Sequence, residues 1–120
     1  MNYGNSLAWK IVFDEKFADD LAALGKPAQI QIKKYLDKLC SDCSHPKQRG
    51  EPMRYNLAGL WRYRVGDYRL ICQITEGEVV MLGMLMVAHR RESYSGQSID
   101  DLLKRAIELQ DNFKKKDNPE

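Results

Sequence analysis

The chain has 120 residues, 43% of them hydrophobic and 30% charged, with a formal net charge of +2; this suffices for one domain around one core and excludes wholesale disorder. No apolar run approaches the roughly 20 residues that cross a bilayer, and Met1 to Ser6 lack the charged start and apolar centre of a secretory signal. Three cysteines, Cys40, Cys43 and Cys72, make no even disulfide framework, so a reducing, cytoplasmic setting is expected.

Ala8 to Phe13 alternates loosely and is rich in β-formers, which predicts a first strand. Asp14 is placed to cap a helix whose apolar residues Phe17, Leu21 and Leu24 share one face, with Gly25 as its expected end. Pro27 suits the first turn of a second helix carrying the stripe Ile32, Leu36, Leu39 and Cys43. Ser41 to Pro52 reads as a loop.

From Met53 to Val87 the period drops towards two, with turn signals at Ala58-Gly59, Gly66-Asp67 and Glu76-Gly77, which predicts an antiparallel meander. Val79 to Val87 is apolar on both faces and should be a central strand. Ser98 is expected to open a last helix, with Ile99, Leu102, Leu103, Ala106, Ile107 and Phe113 on a core-packing face; Lys114 to Lys116 belong to a solvated end. The predicted class is α+β: an N-terminal strand, a helical hairpin, a three-stranded antiparallel meander completing a small sheet, and a C-terminal helix. Residues 1–97 form the main unit, and 98–120 are the helix and polar tail of the same domain.

Charge is unevenly spread. Between Lys47 and Arg69 six basic residues (Lys47, Arg49, Arg54, Arg62, Arg64 and Arg69) face two acids (Glu51 and Asp67), an excess of four positive charges that suits a polyanionic partner. If Gly66-Asp67 is a two-residue turn, Arg64 stands opposite Arg69 and alternation puts Arg62 on the same face. Trp61, Tyr63, Val65, Tyr68, Leu70, Cys72 and Ile74 then form the core face. Like charges directly opposite cost a fraction of a kcal/mol to about 1 kcal/mol, which a bound phosphate would remove.

Pairing Thr75 with Glu78 would place Met84 opposite Arg69, so that His89, Arg90, Arg91 and Tyr94 emerge near Arg64 and Arg69. These supply a titratable group, further cations and an aromatic suited to base stacking. One such arginine alone is ordinarily solvated surface; three converging strand ends suggest a site.

The paired motifs Leu60 to Leu70 (LWRYRVGDYRL) and Val87 to Tyr94 (VAHRRESY) resemble the RelE/ParE superfamily of bacterial toxins from type II toxin–antitoxin systems. The resemblance, in its RelE-like branch, spans about residues 8 to 97. It implies a RelE-like fold and a ribosome-dependent mRNA endonuclease that cuts in the ribosomal A site by attack of the RNA 2′-hydroxyl, with no metal and no cofactor. By position it implies that Arg69 stabilises the scissile phosphate, Arg90 assists the leaving group, Arg62 and Arg64 replace two basic residues of RelE, and Tyr94 stacks on the nucleotide. RelE has lysines where this chain has Arg62 and Arg64. An arginine practically cannot lose its proton, so the general base stays open, with His89 the neighbouring side chain suited to the task.

RNA binding is assigned to Arg62, Arg64, Arg69, Arg91, Lys47, Arg49 and Arg54. The implied partners are the ribosome, mRNA and a RelB-like antitoxin in a hetero-oligomer, the free toxin being a monomer or weak dimer, with no membrane partner. The alternative within the superfamily is a ParE-like inhibitor that poisons DNA gyrase without cutting RNA. A nucleic-acid-binding domain without chemistry would also keep the patch. Cys40, Cys43 and His45 have no second ligand pair, so they read as a helix end rather than a zinc site; Trp9 and Trp61 read as core anchors, and Tyr35 as part of the second helix's outer face.

Overall fold

A computed structural model describes residues 9–91 and 96–117. Tyr94 and the tail after Asp117 lie outside the described residues, as do the side chains of Ile99, Phe113 and Lys114 to Lys116. Among the described residues no helix is long and apolar enough to cross a membrane.

The chain runs β1 (Trp9–Phe13), α1 (Glu15–Ala22), α2 (Lys26–Asp42), β2 (Glu51–Pro52), β3 (Trp61–Val65), β4 (Tyr68–Thr75), β5 (Val80–His89) and α3 (Gly96–Asp117), with short 3₁₀ turns at Pro46–Gln48 and Tyr55–Leu57. The strands form one sheet in the order β1-β5-β4-β3-β2. β1 runs parallel to β5, and the other neighbours are antiparallel. The architecture is the predicted α+β, with β5 an interior strand between β1 and β4 whose apolar residues have helices to meet on both faces.

Local chemistry accounts for the helix ends. The Asp14 carboxylate accepts from the Lys16 N–H at 3.0 Å and starts α1. α1 ends at Ala22 with Ala23 as its cap, and Gly25 instead precedes α2, whose first turn holds Pro27.

One sheet face carries Trp9, Tyr63, Val65, Leu70, Cys72, Leu82 and Met84 and buries them against Phe17, Ile32, Leu36 and Leu39 of the helical hairpin; Cys40 and Cys43 lie in this core. Tyr35 is half-buried, its ring 5.8 Å from that of Tyr63, rather than wholly on an outer face. Trp9 is buried and donates to the Cys43 carbonyl at 3.1 Å.

The opposite face has its own core, which alternation did not anticipate. Ile71 and Leu85 meet Leu102, Ala106 and Leu109 of α3, with Met53, Leu57 and Leu60 from the β2–β3 connection. The stripe of α3 thus runs through Leu102, Ala106 and Leu109, leaving Leu103 and Ile107 exposed. The helix lies so close that a Cβ on Gly83 would stand 2.5 Å from the Leu109 Cδ2. Arg105, only 8% exposed, donates to Asp20 Oδ2 and to the Leu85 carbonyl, both at 2.9 Å.

That carbonyl is available because β5 carries a bulge. Cys72 pairs with Met84 and Ile71 with Met86, so Leu85 is an extra residue. The bulge and a wider turn after Thr75 correct the expected register: Thr75 pairs with Met81, not Glu78, and Arg69 faces Ala88, not Met84.

Candidate functional site

The turn Gly66-Asp67 has two residues, with Gly66 at φ +57° in the left-handed region that glycine enters without a Cβ penalty. It sets Arg64 directly opposite Arg69, as predicted, with Arg62 opposite Ile71. The three arginines therefore share a face with Ile71, beside the area that α3 covers.

The carboxylate between two of them is the feature that the sequence left unread. β2 pairs Glu51 with Arg62, and Glu51 Oε1 lies 2.8 Å from both Arg62 Nη2 and Arg64 Nε. A hydrogen bond from Arg62 is the first cause, and the charges of Arg62 and Arg64 further causes, that hold the Glu51 carboxyl below the usual carboxylate range. Gly50 allows the approach: at φ +81°, a Cβ there would fall 2.6 Å from the Arg62 carbonyl oxygen. The signal was an acid one residue before a proline at the end of a loop, which nothing in a period-two pattern marks as a strand.

Arg69 is half-exposed and donates from Nη1 to the carbonyls of Tyr68 at 3.0 Å and Gly66 at 3.2 Å. Among the described residues it has no carboxylate partner. Arg90 closes the turn, with its backbone N–H 2.7 Å from the Asp67 carbonyl oxygen and its Nε 3.3 Å from Asp67 Oδ1.

His89 stands elsewhere. It pairs with Tyr68, and the two rings meet edge-on at 5.6 Å, on the face that Tyr68 shares with the helical hairpin rather than with Arg69. Its Nδ1 receives the Arg91 N–H at 3.2 Å; a backbone N–H can only donate, so the neutral ring keeps its proton on Nε2.

The outlying cations are dispersed. Lys47 lies 3.7 Å from Glu76 and 5.9 Å from the centre of the Trp61 ring, and Arg49 lies 3.6 Å from Asp42. Arg54 and Arg91 are exposed. Trp61 is half-buried, donating to the Arg49 carbonyl at 2.8 Å. His45 caps the 3₁₀ turn at Pro46 and meets Glu76 at 3.1 Å.

Residues 11–94 match the family described as the ParE toxin of type II toxin–antitoxin systems, parDE. The chain belongs to that family, within the RelE/ParE superfamily of type II toxins. No curated protein matches the sequence. Among solved structures, this toxin is similar to the toxin–antitoxin complex RelBE2 from Mycobacterium tuberculosis, at 26% identity and a TM-score of 0.58 over 68% of this chain and 91% of the other. It also resembles a two-arginine mutant of the Escherichia coli toxin RelE in the free state, at 20% identity and a TM-score of 0.59 over 88% of this chain and 98% of the other, which extends the likeness in fold. The family match ends at Tyr94, so α3 lies wholly beyond it.

Proposed function

We propose that the toxin is a metal-independent endoribonuclease that cuts mRNA in the ribosomal A site. The carrying observation is the row Glu51, Arg62, Arg64 and Arg69 on one face, with Arg90 at its edge. It pairs a proton acceptor with cations that can hold a phosphate, the two provisions that RNA self-cleavage requires.

In this reading a phosphate enters between Arg64 and Arg69 and takes hydrogen bonds that Arg62 and Arg64 now give to Glu51. The carboxylate, freed from them, becomes more basic and accepts the 2′-hydroxyl proton. The 2′-oxygen forms its bond to phosphorus as the bond to the 5′-oxygen breaks, leaving a cyclic phosphate and a 5′-hydroxyl that takes its proton from solvent. Arg69 stabilises the charge on the phosphate, and Arg90 that on the leaving oxygen. His89 enters as an Nε2–H donor rather than as the base; Tyr94 remains the proposed stacking aromatic, and Lys47, Arg49, Arg54 and Arg91 the proposed outer RNA contacts.

The M. tuberculosis relative is a toxin–antitoxin complex, and an antitoxin partner is proposed here too, a RelB-like chain bringing acidic residues to the arginine row. The test is primer extension on mRNA with translating ribosomes and purified toxin. Breaks within codons are expected, and intact message would sink the reading.

A second reading has its own support. Glu51 already pairs with both Arg62 and Arg64, and Asp67 with Arg90, which suits a protein-binding surface as well as a phosphate site. A gyrase poison of the ParE kind would give gyrase-dependent DNA breaks with intact message.

A further inference from the structure

The connection between β2 and β3 presents an aromatic ring in an unusual way. Tyr55 is 91% exposed, and its backbone holds φ +58°, the one positive value at a non-glycine among the described residues. An aromatic in the left-handed region is disfavoured, and such departures collect where a side chain must be aimed.

The loop around it is firmly built. Met53 N–H donates to the Leu60 carbonyl at 2.9 Å, closing the base, while Leu57 N–H reaches the Arg54 carbonyl and Ala58 N–H the Tyr55 carbonyl, both at 3.1 Å. Met53, Leu57 and Leu60 anchor it in the core under α3, on the face that carries the arginine row. Arg54, the preceding residue in the chain, is exposed, and among the described residues it has no ion-pair partner. The loop ends at Leu60, four residues of extended chain, about 13 Å, before Arg64.

We propose that Tyr55, with Arg54, is a stacking platform for a base of single-stranded RNA whose phosphate lies at Arg64 and Arg69. An exposed ring on a hydrogen-bonded turn, with a cationic neighbour in the chain and its loop anchored on the sheet face that carries the arginines, suits the holding of a single strand without base-specific hydrogen bonds. The cationic setting favours RNA over a protein partner, for which Tyr55 would be an interface anchor instead. The inference rests on the reading that the toxin acts on RNA and adds a residue that the resemblance did not supply.

The test is fluorescence anisotropy with a short labelled oligouridylate and with an abasic backbone of equal length, over a range of salt concentrations. Tyr55→Ala should weaken binding to the oligouridylate about five- to a hundredfold with an unchanged salt slope. Tyr55→Trp should bind as the wild type does. Arg54→Ala should instead reduce the slope by about 0.7. Tyr55→Asn suits the left-handed backbone, so it should keep or raise the thermal midpoint while losing the preference for bases over the abasic strand.

Equal affinity of wild type and Tyr55→Ala would overturn the proposal, whether or not that variant loses antitoxin binding. So would a wild type that does not bind the oligouridylate. Tyr55-dependent binding together with intact message on ribosomes would retain the platform and reject the nuclease.

Discussion

Arg64 and Arg69 stand directly opposite each other on β3 and β4, and the like-charge contact is tempered from one side only. Glu51 Oε1 sits 2.8 Å from Arg64 Nε and from Arg62 Nη2, whereas Arg69 turns to backbone carbonyls. Among the described residues no acid pairs with Arg69, which in the proposed reading leaves it open to an incoming phosphate.

Arg69→Ala should lower mRNA cleavage on ribosomes about 100- to 1000-fold, the usual consequence of removing one group aimed at developing charge. Among the described residues its side chain bonds to nearby turn carbonyls alone, so the thermal midpoint should stay near that of the wild type. Full cleavage by this variant would remove Arg69 from the mechanism.

Glu51→Gln should abolish cleavage while strengthening RNA binding, because it removes the base and one negative charge together. The pH dependence has a definite sign. Arg62 first, then Arg64, lowers the Glu51 carboxyl below its ordinary 4.5, so kcat/KM of the wild type should hold until the pH falls below that value. Arg62→Ala removes the larger cause and should move the acid limb upward, towards 4.5. A limb unmoved in Arg62→Ala would mean that another group takes the proton.

The sequence made the arginine row legible because it depends on one turn and on strict alternation, and both hold in β3 and β4. His89 was expected beyond the end of β4, near Arg64 and Arg69; the wider turn after Thr75 and the Leu85 bulge together shift the register by four residues, which seats it within β5 across from Tyr68. Alternation was also too simple for Ile71, which shares the arginine face yet is fully buried, because α3 roofs that part of the sheet. Glu51 escaped notice because a two-residue strand has no periodicity. What fixes it is the tertiary approach of Gly50 to β3.

The roof formed by α3 should matter to stability. Leu102 is fully buried among Ile71, Leu85 and the β2–β3 connection, so Leu102→Ala should cost about 2–5 kcal/mol. Arg105→Ala leaves the Leu85 carbonyl and Asp20 without their donor and should cost about 1–3 kcal/mol. Urea titrations followed by circular dichroism would measure both. Losses under 0.5 kcal/mol in both would show that α3 does not hold the second core together.

The buried thiols and phenol should limit stability at high pH. Burial pushes the Cys40 thiol from its ordinary 9.0 up to about 11, and likewise raises Cys72 well above 9.0. Tyr63, whose hydroxyl donates to the Pro46 carbonyl at 2.6 Å, is also raised by burial first of all. Each group keeps its proton longer in the fold than in the unfolded chain, so the stability it contributes is intact below about pH 9 and is lost as the pH climbs through the folded value. The thermal midpoint should be flat from neutrality to about pH 9 and then fall towards pH 11, and Cys72→Ala should soften the fall because one differential titration is gone. A midpoint in the wild type that stays level through pH 11 would show that these groups ionise as readily in the core as in the open chain.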